Sequence, residues 1–102
     1  MLAHSNLRLV KQLKRRLADA TPAKRLVVYG SRARGDATKD SDLDVYIEVP
    51  ALTPALRCRI SEIAWEVSLE AGVIISTLVA SDQNPLGGQL ILHAIEQEGI
   101  AI

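Results

Sequence analysis

Gly30-Ser31-Arg32-Ala33-Arg34-Gly35 and, after five intervening residues, Ser41-Asp42-Leu43-Asp44 decide how this chain is read. The first run follows Leu26-Val27-Val28-Tyr29, a short apolar and partly β-branched stretch that stops at Gly30 and reads as a buried strand. The second run opens Leu43-Asp44-Val45-Tyr46-Ile47-Glu48-Val49, which alternates strictly and stops at Pro50. Strand side chains alternate with a period of two. Leu43, Val45, Ile47 and Val49 are therefore assigned to a core, and Asp42, Asp44, Tyr46 and Glu48 to the opposite face.

Two carboxylates two positions apart on one strand face stand roughly 6–7 Å from each other at the backbone. Left alone they are either solvated surface acids or a repelling pair. A hard cation relieves the repulsion, and Mg²⁺ favours one or two carboxylates together with substrate phosphates. The preceding turn supplies the matching anion chemistry. Gly30 lets the backbone approach a ligand or take a positive φ, Ser31 adds a hydroxyl, and Arg32 and Arg34 add charge. A short helix starting at Ser31 would point its free N–H groups at an anion. Asp36 to Ser41, small and polar, returns the chain into the next strand. The stretch lacks the Walker A pattern and the Gly-x-Gly-x-x-Gly dinucleotide pattern.

The combined segment resembles the nucleotidyltransferase superfamily of DNA polymerase β, and more closely its stand-alone minimal nucleotidyltransferases, the MNT family. The family pattern Gly-Ser-x-Ala-Arg-Gly…Ser-Asp-x-Asp is met residue for residue from Gly30 to Asp44. Leu90 to Ile100 is similar to the family's closing helix. The resemblance implies that Gly30 and Ser31 contact a triphosphate, that Asp42 and Asp44 bind Mg²⁺ or Mn²⁺, and that the substrate is an NTP, with ATP foremost. It also implies transfer of a nucleoside monophosphate to a macromolecule or protein partner, because small relatives accompany HEPN-type toxins as antitoxins and adenylylate them. One departure stands out. The family's third carboxylate falls on a later strand, and the matching stretch here, Val73-Ile74-Ile75-Ser76-Thr77-Leu78-Val79, carries none. Ser76 or Ile74 takes its place, and Glu70 and Asp82 lie just outside. The alternative is thus a binding module that keeps the fold, and a nucleotide, but neutralises a partner by contact alone.

Composition fits one compact domain spanning 1–102: 102 residues, 48% hydrophobic, enough for one core. No apolar run approaches the roughly 18 residues of a membrane span, and Met1 to Ala20 is amphipathic rather than a secretory signal. The lone Cys58 excludes an internal disulfide and fits a reducing cytoplasm. His4 and His93 lack metal spacing. Net charge is zero, yet residues 1–39 hold ten Lys/Arg against two Asp/Glu, and residues 40–102 hold the reverse. The basic part can draw in an anionic nucleotide, but most of these charges are expected to neutralise one another on folding.

The remaining periodicity predicts helices near 2–20, 54–71 and 86–98 around a small mixed sheet of 26–29, 43–49 and 73–79, an α/β fold. Leu2, Leu9, Leu13 and Leu17 stripe the first helix, opposite Arg8, Lys11 and Arg15. With so few aromatics in the chain, that basic face reads as solvated, and direct nucleic-acid binding is not expected. Thr53-Pro54 opens the second helix in N-cap and N1 order. Leu56, Ile60, Ile63 and Val67 form its core stripe. Opposite them lie Cys58, Trp65 and Leu69, beside an acidic ridge of Glu62, Glu66 and Glu70. Trp is enriched at binding hot spots, so Trp65 and Leu69 are read as an interface for a protein partner or a second copy. The competing expectation is that the last helix or a loop covers Trp65.

Overall fold

The computed structural model describes residues 2–83 and 90–102, with Leu90 and Ile91 described by their backbone alone. Four strands form one mixed sheet in the spatial order 75–81, 43–49, 25–29, 100–101. β1 (Arg25–Tyr29) runs antiparallel to β2 (Leu43–Val49), with Arg25 opposite Glu48 and Tyr29 opposite Asp44. β3 (Ile75–Ser81) lies parallel to β2. β4 (Ile100–Ala101) returns antiparallel along the other side of β1. α1 (His4–Leu17) precedes β1, the one-turn α2 (Ser31–Arg34) follows it, α3 (Pro54–Ala71) links β2 to β3, and α4 (Leu90–Glu98) precedes β4.

The expected alternation along β2 holds. Leu43, Val45, Ile47 and Val49, with Leu26 and Val28 of β1, meet Leu9, Val10, Leu13 and Leu17 of α1 and Ile60, Ile63, Ala64 and Val67 of α3. Each large apolar side chain removed from water there contributes about 1.5–3 kcal/mol. The opposite face carries a smaller core of its own. Val27, Tyr46 and Ala80 pack with Ile95 of α4, beside Tyr29, Leu78 and Leu92. Tyr46 is fully buried there, its hydroxyl donating to Glu48 Oε2 at 2.6 Å. The face assigned to Asp44 is thus covered at one end and open at the other.

Element ends follow local chemistry. Thr53 caps α3 as expected, its Oγ1 accepting the Leu56 N–H at 3.1 Å, and Gly72 ends the helix at φ 72°. α1 is shorter than the expected 2–20. It stops at Leu17, and Ala18 to Ala20 turn ahead of Thr21-Pro22, where the proline disfavours helix in the residue before it. The third strand begins two residues later than the expected 73–79. Val73 and Ile74 carry the chain from Gly72 to the sheet, and Ser68 Oγ accepts the Ile75 N–H at 2.9 Å where β3 starts. Register with β2, rather than β-branched propensity, fixes that strand. β4 is an addition to the three strands expected from the sequence. The last helix is described from Leu90, and the expected start at 86–89 lies outside the described residues.

The charge polarity of the sequence resolves into pairs across the fold. Arg16 on α1 bridges Glu66 and Glu70 of α3, while Arg25 lies 3.9 Å from Glu48 and 3.7 Å from Glu96. Arg34 reaches Glu98 at 3.0 Å. Two members of the expected acidic ridge, Glu66 and Glu70, are therefore paired with α1. No described helix is long and apolar enough to cross a membrane.

Candidate active site

Antiparallel pairing of Tyr29 with Asp44 brings the end of β1 against the start of β2. Gly30 leaves the strand at φ 77°, ψ −159°, a region open in practice to glycine alone. The reason is visible next to it. A Cβ at Gly30 would overlap the Asp44 carboxylate oxygen and lie 3.3 Å from its Cγ. The Gly30 carbonyl then accepts from the Ala33 and Arg34 N–H groups at 3.1 and 3.0 Å, which starts α2. The earlier N–H groups of that turn have no partner within it. Gly35 closes the turn in the left-handed region. Turn and acid thus meet at one spot, in keeping with the spacing of the two motifs.

The acids feel each other. Asp44 is half-buried, and its carboxyl is pushed above the ordinary Asp range by burial first and by the charge of Asp42 second, with Arg34 opposing. Asp42 is exposed one residue ahead of β2. Tyr29 is raised as well, by burial and then by Asp44. Two carboxylates coupled in this way, one of them partly withdrawn from water, form a donor set suited to a hard divalent cation. No third His, Cys, Asp or Glu joins them in a metal-sized group among the described residues. Ser76 of β3 stands beside Asp44 in the sheet, at the place where the resemblance leads one to expect an acid. Glu70 is engaged by Arg16 and by Gln12 at 3.2 Å. Asp82 lies past the far end of β3, its N–H bonded to the Val49 carbonyl at 2.8 Å, so five residues of strand, roughly 16 Å, separate it from the Asp44 end.

The two arginines divide. Arg34 is at the site, its partly exposed guanidinium held by Asp36 at 3.2 Å and Glu98 at 3.0 Å. Arg32 points to the loop instead. It donates to the Ser41 carbonyl at 2.9 and 2.6 Å, to Asn6 Oδ1 at 3.0 Å and to the Lys39 carbonyl at 3.4 Å. Since Ser41 precedes Asp42, this clamp sets where the acids begin. Glu98 joins the site without having been singled out by any motif. Its Oε1 accepts the Gly30 N–H at 3.3 Å as well as the Arg34 bond. A usable signal does exist in the sequence: an acid in the last turn of a helix opposes the helix dipole and calls for a compensating partner. Elsewhere, Trp65 and Leu69 lie on the outer face of α3, 59% and 64% exposed, so nothing among the described residues covers Trp65.

This fold and this juxtaposition define a polymerase β-like nucleotidyltransferase architecture. The chain belongs to the nucleotidyltransferase domain family, whose model matches residues 10–100. No curated protein matches the sequence. Among solved structures, a chain of a toxin–antitoxin complex with AMP-PNP superposes with a TM-score of 0.64 at 16% identity, covering 97% of this chain and 72% of that one. A Sulfolobus solfataricus protein assigned as a nucleotidyltransferase gives 0.58 at 19% identity, over 95% and 81%. A chain from the complex of tri-AMPylated Shewanella oneidensis HEPN toxin with MNT antitoxin gives 0.56 at 15% identity, over 94% and 67%. At such identities the likeness is one of fold.

Proposed function

We propose that this protein is a metal-dependent nucleotidyltransferase of the MNT type, which moves a nucleoside monophosphate from an NTP, ATP foremost, to a partner protein. The observation that carries the reading is the seat of Gly30 directly against the Asp44 carboxylate. That contact supports a reading in which the Gly30 backbone meets the phosphates of a triphosphate and the Asp44 carboxylate meets its cation. Asp42 and Asp44 would hold Mg²⁺ or Mn²⁺, which when bound neutralises phosphate charge and polarises the phosphoryl group. Gly30 and Ser31 would approach the phosphates, and Arg34 would add charge at their edge. Arg32 acts at one remove, by fixing Ser41. In the reaction an acceptor hydroxyl oxygen bonds to the α-phosphorus while the bond to the bridging oxygen breaks. Pyrophosphate leaves with the bridging oxygen, and the hydroxyl proton is released to solvent; Ser76 beside Asp44 offers no third carboxylate to assist.

The partner is read as a helical HEPN-type protein. In support, similar chains occur in a toxin–antitoxin complex with AMP-PNP and in a complex containing an AMPylated HEPN toxin. Trp65 and Leu69 supply the exposed apolar anchor such a partner needs. Trp65→Ala is expected to dissociate the partner complex, or a homo-oligomer, on size-exclusion chromatography without lowering the melting temperature. An unchanged elution profile rejects the assignment. Incubation with labelled ATP, Mg²⁺ and the co-purified partner is expected to label the partner. The absence of label across several nucleotides, with both Mg²⁺ and Mn²⁺, favours the second reading, a module that binds its partner without turnover. Ser76 in place of a third acid is the observation on that side.

A further inference from the structure

The Gly30 turn already has an anion on it, and that anion is part of the chain. Glu98 Oε1 takes the Gly30 N–H at 3.3 Å and an Arg34 N–H at 3.0 Å, and the side chain is 27% exposed. These two donors are ones the proposed function gives to a triphosphate. The position is imposed from both directions. Behind Glu98, Gly99 fits so tightly that a Cβ would overlap the Ile95 carbonyl and the Val27 side chain. Ile100 and Ala101 then pair with Val28 and Val27 of β1, the strand that ends at Gly30. Within α4, an acid in the final turn is opposed by the helix dipole. The last turn holds Glu96 and Glu98 and no basic residue. Each acid has a cation outside its helix, Arg25 for Glu96 and Arg34 for Glu98.

We infer that Glu98 is an internal competitor for the phosphate seat, an affinity-setting residue whose carboxylate occupies the Gly30 N–H and Arg34 until a triphosphate displaces it. The inference rests on the nucleotide reading above. A nucleotide entering this seat meets a carboxylate of its own sign, and the Glu98 contact must open before the phosphate can take the same N–H. The apparent affinity is then lowered by the fraction of molecules in which the seat is free. If about one molecule in ten is open at any moment, binding is weakened about tenfold.

The test compares wild type with Glu98→Gln and Glu98→Ala for Mg²⁺-ATP affinity by calorimetry. Thermal melts monitor folding, and the Gly30 amide resonance reports on the seat. Both variants are expected to bind about tenfold more tightly than wild type, with the Gly30 amide shifted in the free variants and moved by ATP in all three proteins. Equal affinity in wild type and variants overturns the inference while leaving the nucleotide reading intact. Weaker binding in folded variants also overturns it, since Glu98 would then be a ligand of the metal or nucleotide and not its rival. If none of the three binds ATP, the nucleotide reading itself falls and takes this inference with it.

Discussion

Replacing both acids, Asp42→Asn with Asp44→Asn, is expected to abolish Mg²⁺-dependent NTP binding and leave the fold intact. On the proposed reading each carboxylate lost would remove a charged ligand from the cation, and contacts of charged groups are worth about 1.5–3 kcal/mol apiece. The pair therefore accounts for roughly a hundredfold or more in affinity. The native fold gains rather than loses. Asp44 is pushed up by burial and by Asp42, so its folded-state pKa lies above its unfolded value. A carboxyl shifted in that direction disfavours the folded state once ionised, and the penalty fades as pH falls through the raised pKa. The amide variant carries no such penalty at neutral pH, and its melting temperature is expected to equal or exceed that of wild type. It should also lose the Asp44 share of the rise in stability on mild acidification. Calorimetry of nucleotide binding and melts at several pH values read both halves. An unchanged affinity in the double variant removes these residues from the metal site.

The second large effect is expected at Gly30, with Gly35 as its measure. Both glycines have positive φ, 77° and 91°. Gly35 sits in the ordinary left-handed region with nothing within 4 Å of where an alanine Cβ would stand. Alanine there costs about 1–2 kcal/mol of backbone strain and little else. At Gly30 the ψ of −159° adds a conformation that other residues rarely hold, and the new methyl collides with the Asp44 carboxylate. Strain of about 1–3 kcal/mol and overpacking of about 1–3 kcal/mol combine. Gly30→Ala is expected to be clearly the less stable variant in urea titrations. Any folded fraction should bind Mg²⁺-NTP poorly, because Asp44 has been driven off its position. Equal stability and affinity in the two variants would mean that the tight seat of Gly30 against Asp44 has no bearing on the site.

Much of the molecule is legible in its sequence, and the reasons differ by element. The strict alternation of Leu43 to Val49 marks both the strand and its inward face, because one face of β2 meets two helices. Thr53-Pro54 marks the start of α3 because cap chemistry is local. Gly30 announces the turn, but not why glycine is required, since the collision with Asp44 exists only once β1 and β2 are paired. Arg32 illustrates the limit. By type and spacing it matches a phosphate ligand, yet its guanidinium is engaged by the Ser41 and Lys39 carbonyls and by Asn6, contacts set by how the 35–42 loop folds back and where α1 lies. β4 and the partner of Glu98 are hidden for the same reason. A two-residue strand has no periodicity to read, and an acid 68 positions from Gly30 meets it only through the sheet.

The short strand β4 also ties residues 100–102 to the strand that ends at the Gly30 turn. Ile100 and Ala101 zip onto β1, Ile102 donates its N–H to the Leu26 carbonyl at 2.9 Å, and Lys14 grips the Ile102 carbonyl at 3.0 Å. A substitution in this stretch, though 70 positions away in sequence, therefore tugs on the ladder whose other end is the Gly30 bend.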